Sequence, residues 1–234
     1  PFGTEKAKDA DVFDLKEFWH VGRTLPEGHE LADYMGPNIW PEEVAGFRET
    51  FSELFTAFEA AGGRVLEAIA LHLGLDRAFF DSTVADGNSV MRLLHYPPLG
   101  PEAPEGAIRA AAHGDINTIT LLLGAEEAGL ELLTKAGAWH PVEAQEGALV
   151  SNVGDMLERL TAGKLVSTTH RVVNPAGAGA LRSRYSMPFF LHFRPDYMIE
   201  PLRDCVSEMG EGSAQESISA HDFLMQRLRE INLA

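Results

Sequence analysis

Between Pro41 and about Leu73, large apolar residues recur at intervals of three and four, which is the period of one face of an α-helix. Proline at the first turn, followed by two glutamates, favours a helix start at this point. Gly62-Gly63 is a place where the helix can bend or break before the pattern resumes. We therefore expect a long amphipathic helix whose apolar stripe packs against a sheet. The stripe consists of Phe47, Phe51, Leu54, Phe55 and Phe58.

From about Asn88 onward, apolar and polar positions alternate with a period of two, which indicates β-strands. Short runs of this kind, separated by Gly and Pro at regular intervals, are typical of a sandwich or barrel. The predicted fold class is mainly β with flanking α, a jelly roll of two facing four-stranded sheets backed by the long helix. The expected strands are Ser89–Tyr96, Ala107–His113, Thr118–Leu123, Leu130–Thr134, Trp139–Pro141, Ala148–Val153, Leu165–Val173 and Arg184–Phe193.

The segments outside and between these strands have other patterns. Residues 1–37 are rich in turn-forming Gly and Pro, and Asp11–Arg23 is interpreted as a loop that packs its aromatic residues against the core. Asp155–Leu160 has a helical pattern. Residues 201–217 are polar and predict a connector or mobile loop. Ser219–Leu233 predicts a terminal helix, capped by its first residue.

Length and charge limit the possible functions. The 234 residues fit one domain with an N-terminal loop and helical part (1–84), a jelly-roll core (88–200) and a C-terminal connector and helix (201–234). The formal net charge of −16 would repel phosphate groups, which argues against a nucleic-acid partner and against a membrane-surface role. We expect neither a membrane span nor a signal peptide. The single Cys205 cannot form an intrachain disulfide, which suits the cytoplasm.

Candidate chemistry begins at His113-Gly114-Asp115. Because residues i and i+2 of a strand point to the same face, an extended strand end would aim the His113 imidazole and the Asp115 carboxylate at one point. A second imidazole, His170, lies 57 residues later inside another strand-like run. Two imidazoles and one carboxylate on one face of a metal are the ligand set of non-haem Fe(II) oxygenases, with zinc as the alternative ion.

Fourteen residues after His170, Arg184 and Ser186 again share one strand face. A guanidinium and a hydroxyl placed in this way can hold one carboxylate, since Arg offers a planar and permanently charged fork. The alternative is that Arg182, Arg184 and Arg194 are surface charges on an edge strand.

Together these patterns resemble a known family. His-x-Asp, the distant His within TTHRVVNP and Arg-x-Ser within RYSMPFFLHF resemble the 2-oxoglutarate/Fe(II)-dependent oxygenases of the isopenicillin N synthase type. Further matches are NIWPEEVAGFRETF (Asn38–Phe51), MRLLHYPP (Met91–Pro98) and NVGDMLERLTAGK (Asn152–Lys164). The resemblance extends from about the first residues to about residue 200. In that family a strand-and-helix segment normally precedes the position of Pro1, so we expect that the sequence lacks its true N-terminus.

The resemblance implies a double-stranded β-helix fold and assigns roles to particular residues. His113, Asp115 and His170 would be the catalytic metal ligands for Fe(II). Arg184 and Ser186 would bind the far carboxylate of the co-substrate 2-oxoglutarate, and O2 would be the second co-substrate.

Other positions are interpreted through the same resemblance. Tyr96 matches a position that contacts the co-substrate or the substrate, and Leu94 stands where relatives often carry Asn. The segment around His20 lies over the active-site mouth in the family, which makes His20 a candidate substrate contact. The Gly/Ala-rich run Ala176–Leu181 lengthens the His-to-Arg spacing, and we expect it to loop out as a hairpin end. An apolar lining that excludes water is expected from Leu94, Leu121, Val172, Met187 and Phe189.

The implied function is that of an enzyme, a 2-oxoglutarate- and Fe(II)-dependent dioxygenase that oxidises a small organic molecule by hydroxylation or desaturation. A 2-oxoglutarate-independent oxidase of the same fold stays open, because such oxidases can keep the Arg and Ser pair. A non-catalytic jelly-roll binding protein is a third hypothesis, and the complete set of His, Asp, His and Arg argues against it. The sequence does not identify the substrate.

Overall fold

The computed structural model describes residues 13–99, 106–123, 129–142, 145, 147–175 and 177–231. Within these ranges the strands form antiparallel sheets, and the helices flank them. The strands are β1 (Glu17–Gly22), β2 (Val90–Tyr96), β3 (Ala110–His113), β4 (Ile119–Leu123), β5 (Leu130–Leu133), β6 (Trp139–Pro141), β7 (Leu149–Val153), β8 (His170–Val172), β9 (Arg184–Leu191), β10 (Met198–Ile199) and β11 (Ile218–Ser219). The helices are α1 (Phe47–His72), α2 (Asp81–Val84), α3 (Asp155–Leu160), α4 (Arg203–Met209) and α5 (Ala220–Glu230).

Two facing sheets form the sandwich. The larger has the strand order β1-β2-β9-β4-β7, and the smaller has the order β3-β8-β5-β6. Leu94 and Tyr96 of the larger sheet pack against Ala110 and Val172 of the smaller, so the space between the sheets is an interior. The eight predicted strands correspond to β2 through β9, and the predicted jelly roll with flanking helices is confirmed. The larger sheet has five strands rather than four.

The fifth strand is β1, which corrects the prediction of a loop over Asp11–Arg23. The strand lies at the edge of the larger sheet and pairs antiparallel with β2. Trp19 meets the Phe47 ring of α1 edge-on at 6.3 Å, whereas Phe18 packs into the interior cluster. Because apolar groups lie on both faces of β1, its sequence does not show the simple alternation of a half-buried strand.

Helix α1 covers the outer face of the larger sheet. Phe55 and Phe58 contact the Phe189 ring of β9 at centroid distances of 5.0 and 5.3 Å. Leu121 and Met187 belong to the same core. The expectation that Leu121, Met187 and Phe189 line the interior is therefore wrong, because strand alternation turns them toward α1. The other two expected lining residues do lie between the sheets.

The start of α1 and its glycine pair differ from the sequence expectation. The helix begins after Gly46, whose φ of 75° is left-handed, and not at Pro41. It runs unbroken through Gly62-Gly63. A Cβ added at Gly62 would lie 2.4 Å from Cδ1 of Leu191, so this glycine permits a close approach of helix and sheet.

The C-terminal part contains more regular structure than its polar composition predicts. The polar composition of residues 201–217 predicts a connector, yet they include α4, which buries Cys205. Helix α5 agrees with the predicted terminal helix, and its cap is as expected, since Ser219 Oγ accepts from the Asp222 N–H at 3.0 Å. Among the described residues, no helix combines the length and the apolar character needed to cross a membrane.

Candidate metal centre and co-substrate site

The three predicted metal ligands meet at one end of the smaller sheet. His113 ends β3 and pairs across the sheet with His170, the first residue of β8. Asp115 is buried just beyond β3. One ligand atom of each residue lies within 4.8 Å of the other two. The imidazole centroids are 4.5 Å apart, and His170 Nε2 lies 3.8 Å from Asp115 Oδ1.

Hydrogen bonds orient both imidazoles. Nδ1 of His113 lies 2.7 Å from the carbonyl oxygen of Ala111, and Nδ1 of His170 lies 3.1 Å from that of Thr168. A carbonyl oxygen can only accept, so Nδ1 is the protonated nitrogen in each ring. Nε2 therefore keeps its lone pair for a metal ion.

The Asp115 carboxylate is held by the larger sheet. Its Oδ2 accepts from Thr120 Oγ1 at 2.5 Å and from Asn152 Nδ2 at 2.8 Å. Thr120 and Asn152 are opposite each other on β4 and β7. Neither residue belongs to a sequence motif that marks it. The available signal was a single Thr within the otherwise apolar strand β4.

The charge states of His113 and Asp115 suit a cation at neutral pH. Burial, aided by the neighbouring His170, lowers the pKa of His113 to about 4. Burial alone would raise the pKa of Asp115, but His170, His113 and the two hydrogen bonds lower it by more. A neutral imidazole and an ionised carboxylate are the forms that bind metal ions. Two nitrogen donors and one oxygen donor on one side fit Fe(II).

Two helices support the turn that carries Asp115. A Cβ added at Gly114 would lie 3.1 Å from Ser167 Oγ and 3.2 Å from Asp155 Oδ1, so the turn is closely packed. The Asp155 N–H, at the start of α3, donates to the Asp115 carbonyl at 2.7 Å. Arg227 of α5 in turn contacts the Asp155 carboxylate at 3.1 Å. The position of the candidate ligand therefore depends on both helices.

Arg184 and Ser186 lie at the start of β9, on the interior face. Arg184 is 3% exposed and is opposite Tyr96 of β2, while Ser186 is opposite Leu94. The guanidinium carbon of Arg184 lies 5.0 Å from the centroid of the Tyr96 ring. Burial raises the pKa of Tyr96 despite the opposing charge of Arg184. The alternative that Arg184 is a surface charge is wrong.

Arg109 and the Lys16–Asp14 pair are further buried charged residues near Tyr96, and no sequence pattern indicated them. Arg109 is fully buried, with its guanidinium carbon 5.9 Å from the Tyr96 ring centroid, and its Nη2 donates to the Arg182 carbonyl at 3.0 Å. Lys16 and Asp14 form a buried ion pair at 2.9 Å. Charged residues are rarely buried unless they are paired. The partners here are distant along the chain or lie before β1, and no local pattern reveals them.

The Gly/Ala-rich run between the two motifs does not form the expected hairpin end. Gly177–Leu181 is a short 3₁₀-helix. It leads from β8 of the smaller sheet to β9 of the larger, so the two strands are not hairpin partners. The long spacing is the length needed to cross between sheets, and it leaves His170 and Arg184 facing the same interior.

His20, the candidate substrate contact, lies on β1 opposite Arg92 of β2. It borders a cavity of about 360 Å³ at this edge of the sandwich. The residues that line the cavity include Phe18, Trp19, His20, Met35, Asn38 and Val90.

Comparison with known proteins adds to this geometry. Residues 87–193 match the model of the 2OG-Fe(II) oxygenase superfamily. That range contains all the predicted metal-binding and co-substrate residues. The curated 2-oxoglutarate-Fe(II) type oxidoreductase hxnY of Emericella nidulans is 35% identical over 222 residues, which are 90% of this chain and 62% of that protein. The chain thus spans less than two thirds of the length of this relative.

Solved structures give a similar result. A crystal structure assigned to the 2OG-Fe(II) oxygenase family, from Caulobacter crescentus, is 54% identical with a TM-score of 0.87 and covers 99% of this chain and 74% of that one. A full-length protein of Neurospora crassa, crystallised in complex with alpha-KG and thymine, is 33% identical with a TM-score of 0.82 and covers 92% of this chain and 65% of that one.

Proposed function

The chain belongs to the 2OG-Fe(II) oxygenase superfamily, and on that premise we propose that it couples the oxidative decarboxylation of 2-oxoglutarate to the oxidation of a small organic substrate by hydroxylation or desaturation. The observation that carries the proposal is the cluster of His113, Asp115 and His170, whose ligand atoms lie within 4.8 Å of one another. The cluster shares its interior with the buried Arg184.

His113 and His170 would hold Fe(II) through Nε2, and Asp115 would hold it through Oδ1. The second carboxylate oxygen is already engaged by Thr120 and Asn152, which favours a single-oxygen ligand. When bound, Fe(II) supplies the activation of O2 that the coupled oxidation requires.

Arg184 and Ser186 would hold the far carboxylate of 2-oxoglutarate. The guanidinium carbon of Arg184 lies over the Tyr96 ring, and this contact favours an orientation of the planar fork before the ligand arrives. Tyr96 would contact the co-substrate from the same side. Leu94 and Val172 lie in the intervening apolar cluster and would exclude water from the site.

The proposed substrate is a small molecule and not a nucleic acid, because the net charge of −16 would repel a phosphate backbone. The Neurospora crassa relative of known structure was solved with thymine and with 5-formyluracil. The proposed location is the cytoplasm, whose reducing conditions suit a buried single thiol at Cys205.

An anaerobic titration of Fe(II), with and without 2-oxoglutarate, tests this function. The proposal expects stoichiometric Fe(II) binding and a weak visible charge-transfer band that develops only when both ligands are present. Fe(II) binding without any effect of 2-oxoglutarate would instead favour the 2-oxoglutarate-independent oxidase. Absence of Fe(II) binding would overturn the proposal in favour of a non-catalytic binding protein.

Asp115→Ala should abolish Fe(II) binding in the same titration. Because that substitution also removes the acceptor for Thr120 and Asn152, circular dichroism should accompany it, with Asp115→Asn as a variant of nearly equal size. Asp204→Ala, at an exposed position of α4, is the matched control and should bind Fe(II) normally. Stoichiometric Fe(II) in a folded Asp115→Ala protein would remove Asp115 from the site.

A further inference from the structure

A second arginine–aromatic cluster lies on the interior face, apart from Arg184. The guanidinium carbon of Arg92 lies 4.3 Å from the Phe18 ring centroid and 5.5 Å from that of Phe190. Arg92 Nε donates to His20 Nε2 at 2.7 Å. The rings of Phe18 and His20 stack at 4.8 Å. None of these four residues has a role in holding the metal or 2-oxoglutarate as proposed above.

Strand register places this cluster beside the metal centre. Phe190 of β9 is opposite Thr120 of β4. Opposite residues of an antiparallel pair share one face, with their Cβ atoms about 4.5–5.5 Å apart. Thr120 donates to the Asp115 carboxylate. The Phe190 side chain therefore adjoins the residue that holds a candidate metal ligand, and Arg92 stacks on that same ring.

The two clusters lie at different points along the same strand face. Arg92 and Tyr96 are both on β2, four residues apart, which is roughly 13 Å at about 3.3 Å per residue. Leu94 lies between them on the same face. The interior thus carries Arg184 stacked on Tyr96 at one end and Arg92 stacked on two aromatic rings nearer the other.

The Arg92 cluster borders the cavity of about 360 Å³, to which it contributes Phe18 and His20. Asn38, which also lines the cavity, is held in place by Gly22 of β1, since its Oδ1 accepts from the Gly22 N–H at 2.7 Å and its Nδ2 donates to the Gly22 carbonyl at 2.8 Å. The volume is near the lower end of the range for small-molecule sites, roughly 300–1,000 Å³. A single ring with a few substituents matches this size.

We propose that this cavity is the substrate chamber, and that Arg92, oriented by His20, selects a planar ring bearing a hydrogen-bond acceptor, either a carbonyl or a carboxylate. The inference deepens the proposed function and rests on it. Phe18 and Trp19 line the cavity, and aromatic side chains favour contact with a flat ligand. A guanidinium presents several N–H donors in one plane and suits an acceptor on that ring. Arg92 is then a specificity-determining residue.

Calorimetric titration of the full chain with simple ring compounds tests this inference. The probes are benzoate, benzamide and cyclohexanecarboxylate, each added under nitrogen with Fe(II) and 2-oxoglutarate present. We expect benzoate or benzamide to bind more tightly than cyclohexanecarboxylate, because only the first two are planar. Benzoate preferred over benzamide would identify a carboxylate substrate, and the reverse order a neutral carbonyl.

Substitutions at Arg92 then measure how much this residue contributes to probe affinity. Arg92→Met should weaken the preferred probe by about ten- to hundredfold, the range for a hydrogen bond to a charged group. Arg92→Lys should lie between Met and the parent, because an ammonium keeps the charge and loses the planar fork. The matched control is Arg48→Met. Arg48 lies on α1, with its guanidinium carbon 5.8 Å from the centroid of the Trp40 ring, and its removal should leave probe binding unchanged.

The two proposals fail in different ways. The inference is overturned if the parent protein binds neither planar probe, or if it binds cyclohexanecarboxylate as tightly as the planar probes. It is also overturned if a folded Arg92→Met protein keeps the probe affinity of the parent. A loss of 2-oxoglutarate affinity in Arg92→Met as large as the loss of probe affinity would assign Arg92 to the co-substrate site and overturn it as well. Failure of the proposed function appears separately, as the absence of metal-dependent 2-oxoglutarate binding in the parent.

Discussion

At the scale of single residues, the interior holds charged side chains whose burial would be costly without compensation. Arg184 and Arg109 both lie near the face of Tyr96, at 5.0 and 5.9 Å, and Arg92 stacks on Phe18. Aromatic faces attract guanidinium groups and fix their planes. The Arg-x-Ser motif revealed Arg184 in the sequence. Arg109 is part of no comparable motif, and its burial follows only from the way the strands meet.

Removal of Arg184 is the most direct test of the co-substrate site. Loss of one partner of a buried charged pair typically costs ~3–5 kcal/mol, which corresponds to roughly two to three orders of magnitude in affinity. We expect Arg184→Ala to raise the 2-oxoglutarate dissociation constant by this factor while Fe(II) affinity stays nearly unchanged, both measured by anaerobic titration. Arg184→Lys should be intermediate. Arg182→Ala is the matched control, since Arg182 is exposed and precedes β9.

Unchanged 2-oxoglutarate affinity in Arg184→Ala would remove Arg184 from the co-substrate site. A parallel loss at Arg182→Ala would show instead that the general positive charge near β9, and not a specific fork, is responsible.

A second residue-scale prediction concerns His192, which is buried at the end of β9. Burial, only partly offset by Asp115, lowers its pKa from 6.5 to about 4. Between these values the unfolded chain binds the proton and the folded chain does not. The contribution of His192 to the free energy of unfolding is therefore fully present above pH 6.5. It is lost as the pH falls toward 4, by up to about 3 kcal/mol for this group. His113 behaves in the same way in the metal-free protein.

His192→Gln should accordingly reduce the fall in unfolding free energy of the metal-free protein between pH 7 and pH 4, as measured by urea denaturation. The control is His72→Gln, at an exposed position of α1, whose pH dependence should match that of the parent. An identical pH dependence in His192→Gln and the parent would contradict the assignment.

At the scale of elements, the sequence predicted those whose apolar runs are bounded by turn residues. Strands β2 to β9 and helix α3 are recognisable because runs of strand or helix period lie between turn-forming residues. Strand β1 was missed because it lies in a segment rich in Gly and Pro and mixes aromatic with charged residues. The start of α1 was placed too early because Pro41 and the following glutamates form a good start signal, and the left-handed Gly46 that ends the preceding turn cannot be recognised from sequence. Helix α4 buries Cys205 alone, which leaves no periodic apolar stripe.

The glycine pair in α1 gives a matched test of how closely helix and sheet approach. Gly63 has open space around an added Cβ, whereas at Gly62 that atom would lie 2.4 Å from Leu191 Cδ1. Gly63→Ala should stabilise the protein by about 0.5–1 kcal/mol through helix propensity. Gly62→Ala should destabilise it by about 1–3 kcal/mol, the usual cost of overpacking, less the same propensity gain. Equal effects in urea denaturation would mean that α1 does not depend on the close contact.

At the scale of the whole molecule, the two sheets divide the proposed chemistry between them. The smaller sheet carries His113 and His170, and the larger carries Arg184 opposite Tyr96. Asp115 links the two sheets, because the side chains of Thr120 and Asn152 hold it from the larger one. The sequence predicted the candidate ligands on each sheet, whereas this cross-connection depends on tertiary packing and was not predicted. A metal chelated by 2-oxoglutarate would therefore bridge the sandwich.

This division predicts that the two ligands stabilise the protein together. A ligand that binds only the folded state at 100 times its dissociation constant adds about 2.7 kcal/mol to the free energy of unfolding. We expect Fe(II) alone to stabilise the chain, 2-oxoglutarate alone to have a much smaller effect, and both together to exceed the sum, since each ligand must raise the affinity of the other by the same factor.

Thermal unfolding under nitrogen measures the stabilisation by each ligand and by both together. Hydrogen exchange should place the effect of Fe(II) in β3 and β8 and the added effect of 2-oxoglutarate in β2 and β9. In Arg184→Ala the Fe(II) effect should persist and the synergy should disappear. Strictly additive stabilisation in the parent would mean that the two ligands do not meet in the interior.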